Sequence, residues 1–488
     1  MEIGNFVKKM QDTMRTDAGI NGDAQRIEQM VWMLFLKVYD AKEANTWEIL
    51  DKNYQSIIPE KYRWRNWAKG NMTGDSLLAF VNNELFPTLK NLPVSKEDPI
   101  KKKIVLDVFA DANNYMKDGV ALRRAIDIVD SLELDTKSDR HAFGDIYESI
   151  LKDIQNAGNA GEFYTPRALT DFIVEVVSPK LTDKIADFAC GTGGFLTSSI
   201  KYLDKQVTSA KDRNYLKNFY GVEKKPFPHL LAITNLLLHD VDSPNIMHGN
   251  SLERNIREYS EAEKFNVILM NPPYGGSERK DIQINFPADI RGSETADLFM
   301  GLIMYRLKKE GKAAVILPDG FLFGTDTTKT NLKKMLLTQY NLHTIIRLPG
   351  SVFAPYTSIS TNILFFDKKP SQGEVWIYRM DMPKGYKAFS KTKPIKLEHF
   401  DEVKNWLANK KDIVDENGNY KAKRFTTEEL KNLNYNLDQC GVPHVEEVIL
   451  EPKQLIENYL KEKEQVNKDI KDVLNEISKI LEIDLEVK

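Results

Sequence analysis

Between Ile185 and Asp367, short apolar runs rich in β-branched and aromatic residues alternate with longer stretches of helical spacing. No other feature constrains the fold as much. Strands of this texture are buried on both faces, so they pair in parallel and are joined by helices that cover the sheet. The runs predict strands over 185–189, 219–222, 245–248, 266–270, 313–317, 344–348 and 361–366. The fold class expected is α/β with a mostly parallel sheet. Ligands of such sheets bind beyond the C-terminal strand ends.

The flanks read differently. Before about residue 150, Ile27, Met30, Val31, Leu34, Phe35 and Val38 recur at helical spacing, and 77–86, 104–116 and 122–128 are further helical candidates. The chain of 488 residues has room for roughly three units. We expect a helical N-terminal domain over 1–150, an α/β domain over 151–400 and a C-terminal region over 401–488. In that last region Tyr459, Lys463, Val466, Ile470, Val473, Ile477 and Ile480 fall on heptad a and d positions of a highly charged helix. Such a seam suits packing against a partner's helix, the alternative being a helix folded back on its own domain.

Composition narrows the function. The longest apolar stretches, such as 30–36, fall short of the ~18 residues of a membrane span, and MEIGNFVKK lacks a signal peptide's apolar region. Cytoplasmic residence with no membrane partner is expected. The two cysteines, Cys190 and Cys440, lie far apart without CxxC or His-rich neighbours, which argues against a disulfide framework or structural zinc. Metal-free catalysis is expected. Lys plus Arg is 68 against 71 for Asp plus Glu, a net charge of −3, so any contact with nucleic acid is local or shared with a partner. One basic stretch, 384–396, carries five lysines interleaved with Tyr386 and Phe389, and reads equally as a solvated loop.

The first predicted strand runs into Asp187-Phe188-Ala189-Cys190-Gly191-Thr192-Gly193-Gly194-Phe195-Leu196, and helical spacing follows. A glycine-rich turn between strand and helix lets backbone approach a ligand closely. It matches neither GxGxxG nor the P-loop pattern, which weakens dinucleotide and nucleoside-triphosphate readings. The next two strand ends place Glu223, an acceptor for a ribose diol, and Asn250, an amide able to read an adenine edge. An amino-acid anchor, a diol acceptor and an amide in that order suit S-adenosylmethionine.

The fourth strand ends in Asn271-Pro272-Pro273-Tyr274. An exocyclic amine conjugated to a purine is a poor nucleophile because its lone pair is delocalised. The Asn271 oxygen and the Pro272 carbonyl could each accept one N–H, driving the nitrogen toward tetrahedral geometry. Two prolines stiffen the backbone and add no competing donor. Tyr274 supplies a face on which a flipped-out base stacks.

At these residues the chain resembles the amino-methyltransferases of DNA, and more narrowly the modification subunit of type I restriction-modification systems. Gly161-Glu162-Phe163-Tyr164-Thr165-Pro166-Arg167, the loop 187–196, Asn271 to Tyr274 with Gly275 and Gly276, the helical segment 33–40 and the strand 361–366 carry the likeness. The resemblance implies a class I, Rossmann-like methyltransferase fold and N6-adenine methylation from S-adenosylmethionine. It also implies that Glu162, Phe163, Tyr164, Thr165, Asp187, Ala189, Gly191, Thr192, Gly193, Gly194, Phe195, Glu223, Asn250 and Ser251 border the cofactor, and that Asn271, Pro272, Pro273 and Tyr274 act on the base. Phe188 stands where the family often has proline, and Asn250 where it often has aspartate. The partners implied are double-stranded DNA, a DNA-specificity subunit, a second copy of the chain and, for cleavage, a separate restriction and translocation subunit. Val352-Phe353-Ala354-Pro355-Tyr356 offers a second stacking aromatic, at Phe353 or Tyr356. Two rival readings remain at this point: methylation of a protein glutamine, whose amide nitrogen poses the same problem, and a non-catalytic assembly subunit.

Overall fold

The computed structural model describes residues 3–134 except 96, 97 and 99, scattered positions between 136 and 151, and residues 164–443 and 452–481. The strands are β1 (Ile185–Asp187), β2 (Phe219–Glu223), β3 (Ile246–His248), β4 (Phe265–Met270), β5 (Leu307–Pro318), β6 (Asn341–Arg347), β7 (Thr361–Asp367), β8 (Glu374–Arg379), β9 (Ile413–Val414) and β10 (Tyr420–Thr426). They form one sheet in the order β3-β2-β1-β4-β5-β7-β6-β8-β10-β9. β1 to β5 pair in parallel, and β7 runs antiparallel to β5 and β6. β8 then extends the sheet parallel to β6, and β10 and β9 close that edge antiparallel.

All seven predicted strands are present with ends moved by a few residues, apart from β5. It begins six residues early, at Leu307, because Leu307 pairs with Phe265 across a bulge and carries the ladder into a Lys- and Glu-rich stretch. The chain after Lys368, where no strand is predicted, supplies β8, β9 and β10. In β10 only Ala422 and Phe425 are buried, and they lie on opposite faces, Ala422 beside Arg424 and Thr426 and Phe425 beside Lys421 and Lys423, so neither face carries an apolar run. The division expected at residue 400 falls between β8 and the strands that pair beside it.

The N-terminal part is helical. Helix Asp23–Lys42 is apolar all round over its middle, Met30 to Leu36, and those residues are all buried, as such a stretch requires. It packs on helix Gly119–Asp130 and on helix Pro226–Leu238 between β2 and β3. Lys42, 1% exposed, reaches Asp240 at 3.2 Å and Asp242 at 2.7 Å at that junction. The helix expected over 104–116 is Ile100–Asp111, and the next helix starts afresh where the Asp118 carboxylate accepts from the Val120 and Ala121 N–H groups.

Two compact units are present: residues 1–381 with 389–443, and residues 382–388 with 444–488. The second contains the 30-residue helix Pro452–Leu481, on which Tyr459, Val466, Ile470 and Val473 are each more than half exposed. Ile477 and Ile480 lie on this helix, and their side chains are outside the described residues. Among the described residues no helix is long and apolar enough to cross a membrane.

Candidate active site

The loop after β1 is shaped by two glycines. Gly191 has φ +53° and Gly193 +79°, left-handed conformations that glycine takes without a Cβ clash. Gly193 caps helix Gly194–Asp204, whose first N–H groups face the loop. A Cβ on Gly193 would come within 3.1 Å of Leu236, and one on Gly194 within 1.9 Å of the Arg167 guanidinium. Glycine is therefore demanded by the chain's own packing as well as by any ligand. Thr192 and Phe195 are buried, and Phe188 turns into the core against Phe265 and Tyr220.

Two carboxyls flank this loop. Asp187, 2% exposed, accepts from the Ala189 N–H at 3.2 Å. Burial, with the charge of Glu223 behind it, pushes Asp187 up to about 8. Glu223, at the end of β2, accepts from the Gly191 N–H at 2.9 Å and the Lys225 N–H at 2.8 Å, and burial raises it too. Beyond β3, Asn250 Oδ1 accepts from the Leu252 N–H, and Ser251 Oγ donates to the Phe188 carbonyl at 2.6 Å, stitching this strand end to the loop.

The Asn271 segment leaves β4 beside them. Asn271 Nδ2 donates to Thr165 Oγ1 at 3.1 Å, which joins the upstream segment to the fourth strand end. The Tyr274 hydroxyl donates to Asn271 Oδ1 and lies 3.4 Å from the Ile316 carbonyl. Burial holds that phenol well above its ordinary range. Pro272 is buried and Pro273 exposed. Gly276 O accepts from the Thr295 N–H at 2.9 Å and Ser277 bridges to Glu294, so helix Thr295–Arg306 anchors the loop's far side. Of the two later aromatics, Phe353 is buried and Tyr356 is 43% exposed, so Tyr356 presents the accessible ring.

Glu162 and Phe163 lie outside the described residues, whereas Tyr164 is buried with its ring 4.9 Å from the Arg167 guanidinium. Sequence reasoning missed the support beneath the loop. Arg167 pairs with Glu148 and donates to Thr192 Oγ1 at 3.2 Å; Asn235 Nδ2 donates to Glu148 at 3.1 Å and to the Thr192 carbonyl at 3.0 Å. Burial alone would raise Glu148, but Arg167 outweighs it and holds the carboxyl below its usual value. Arg167 Nη1 is buried with no hydrogen-bond partner among the described residues. Glu148 and Asn235 are far apart in sequence and neither sits in a motif. No local signal marks them.

A parallel sheet reversed by an antiparallel β7, a glycine turn after β1, an acid after β2 and Asn-Pro-Pro-Tyr after β4 together define a class I methyltransferase fold. The family profile for N-6 DNA methylase matches residues 138–447, and that for the HsdM N-terminal domain residues 3–129. The methylase subunit of the type I restriction enzyme EcoEI of Escherichia coli is 44% identical over 97% of this chain and 98% of its own length. A crystal structure of a modification subunit of a putative type I restriction enzyme from Vibrio vulnificus YJ016 is 38% identical, with a TM-score of 0.77 over 88% of this chain and 92% of that one. A chain from work on complex assembly and conformational transition of the type I R-M system is 33% identical, with a TM-score of 0.80 over 98% of both chains. The protein belongs to the N-6 DNA methylase family, among the methylase subunits of type I restriction enzymes. It is an adenine-specific DNA methyltransferase, and the glutamine and non-catalytic readings fall away.

Proposed function

We propose that the strand-end site holds S-adenosylmethionine against the loop 187–195, Glu223 and Asn250, and presents the N6 of an extruded adenine on Asn271 and Pro272. The observation that carries this reading is the Thr165–Asn271 bond, because it fixes which end of the amide faces the site. The donor set fits the cofactor. Asp187 is a buried acid whose neighbours are an amide N–H and a second carboxyl, a site that favours an arriving ammonium. Arg167 Nη1, orphaned beside the glycine loop, suits the carboxylate of the same amino-acid end. Glu223 spends one lone pair per oxygen on backbone and keeps others for a diol.

S-adenosylmethionine supplies an electrophilic methyl group on sulfur. The chain's part is to orient and polarise the nitrogen: Asn271 Oδ1 and the Pro272 carbonyl accept its two N–H groups, and these bonds strengthen as positive charge develops on N6. Tyr274 releases Asn271 Oδ1 for this purpose and offers its ring to the base. No strong base is needed, since the nitrogen becomes acidic once methylated. With a net charge of −3, grip and sequence choice on double-stranded DNA come from a specificity subunit, and the complex works in the cytoplasm with a second copy of this chain and, for cleavage, a restriction subunit. Mapping N6-methyladenine in a host lacking other methylases tests the reading. Marks at one sequence, present only when chain and specificity subunit are co-expressed, are expected; their absence overturns it.

A further inference from the structure

The other end of the same strands carries a second concavity. A cavity of about 420 Å³ opens where β1, β2 and β4 begin, at the sheet edge opposite Asn271. Lys184, Lys217, Arg254 and Arg306 line it together with Tyr220 and Tyr259. None of these residues has a part in methyl transfer.

Arg306 is the informative one. It is 5% exposed, and among the described residues it enters no ion pair. Its guanidinium stacks 3.8 Å from the Tyr259 ring centroid, with Phe188 and Phe265 at 4.8 and 5.1 Å, and its Nε donates to the Glu263 carbonyl at 3.0 Å. Buried charges are ordinarily paired, so a buried cation held by rings, the Tyr220 phenol and a carbonyl at a cavity wall leaves room for an anionic partner. The one acid in the lining does not fill that role. Glu263 is committed to Arg254 and to capping Ser260, where it accepts at 3.0 and 2.8 Å. Arg254 also stacks on Tyr259, at 4.4 Å, so both guanidinium groups come to the cavity as flat, ring-compatible surfaces. Among the described residues the Lys184 ammonium donates to the Ala262 carbonyl at 3.3 Å, and Lys217 is exposed at the rim. In a chain with a net negative charge this gathering of cations is local.

We propose that this cavity is a second ligand site, for a small phosphorylated aromatic molecule of the nucleotide class. Lysine and arginine heads would take the phosphate, while ring and guanidinium planes would take the base. The volume lies within the range of small-molecule pockets, and a half-open hollow of this size takes a mononucleotide and not a duplex. Because the strands separate it from the loop 187–195, its ligand does not compete with S-adenosylmethionine.

The test is calorimetry on the full chain saturated with S-adenosylhomocysteine, titrated separately with guanosine 5′-monophosphate, guanosine and inorganic phosphate. A guanine nucleotide is used because adenine nucleotides would also seek the cofactor site. The monophosphate should bind, and guanosine and phosphate should each bind roughly tenfold more weakly or worse, as when one of two contact sets is lost. Arg254→Ala and the rim variant Lys217→Ala should each weaken the nucleotide severalfold with the affinity for S-adenosylhomocysteine unchanged, which also certifies the fold. No binding at millimolar nucleotide overturns the proposal. So does phosphate binding as tightly as the nucleotide, which would mark surface lysines only, or affinity indifferent to both substitutions.

Discussion

The side-chain amide of Asn271 donates to the hydroxyl of Thr165 at 3.1 Å, across 106 residues of sequence. Without that acceptor the amide is left to the Tyr274 hydroxyl on Oδ1, and its nitrogen end is no longer fixed. Thr165→Val keeps the shape and removes the acceptor; Thr165→Ser keeps the hydroxyl. Single-turnover methylation should slow by about tenfold or more in the Val variant and stay near wild type in the Ser variant. Equal rates for wild type and Val would mean that the bond does not orient Asn271.

Tyr274 occupies the same amide from its other end, through a hydroxyl bond to Oδ1. Tyr274→Phe abolishes that competition and retains the ring, so its methylation rate should stay within severalfold of wild type. Tyr274→Ala loses the ring, and a stacking contact is worth roughly 1–3 kcal/mol, so base capture should fall tenfold or more. Fluorescence of 2-aminopurine at the target position reads this directly. Equal loss in Phe and Ala would assign the role to the hydroxyl.

Asp187 makes the free protein's stability depend on pH. Its folded value of about 8 lies above its ordinary 3.8, so the contribution of the neutral carboxyl is complete below pH 4 and is lost as pH rises through 8. Denaturant midpoints should therefore fall between pH 5 and 9, and less steeply in Asp187→Asn. The buried carboxyl of Glu223 acts in the same direction. The cofactor's ammonium should draw the proton off Asp187, so binding at pH 7 should release protons. Calorimetry in buffers of different ionisation enthalpy measures that release, and none is expected from the Asn variant.

Strands β1, β2 and β4 to β7 were legible because most of their residues are buried, as in Thr361–Asp367, where six of seven are buried. β10 was not, since Ala422 shares its face with Arg424 and Thr426, and Phe425 shares the other with Lys421 and Lys423. Asp187, Glu223 and the Asn-Pro-Pro-Tyr segment stand out in the sequence because the acids end β1 and β2 and the segment directly follows β4. Thr165 was identified only through a resemblance, and its bond to Asn271 is a long-range contact with no local trace. Glu148, Arg167 and Asn235 hold the glycine loop from beneath for the same reason unseen: the fold, not their spacing, brings them together.

The helix Pro452–Leu481 bears an exposed apolar seam at Tyr459, Val466, Ile470 and Val473. Ending the chain after Pro443 removes it while leaving all the described site residues. The truncated protein should still bind S-adenosylmethionine but fail to co-purify with the specificity subunit. Retained assembly would refute the seam's partner role, and an insoluble product would favour a helix that completes the chain's own core.

Asn271 is proposed to act on the target nitrogen and not on the cofactor. Asn271→Ala in the assembled complex, with methyl transfer followed in a single turnover and S-adenosylmethionine affinity measured on the same preparation, separates the two. The rate should fall on the order of a hundredfold or more, as for loss of a group that stabilises developing charge, with cofactor affinity within about twofold of wild type. A rate near wild type, or a matching collapse of cofactor affinity, would contradict the assignment.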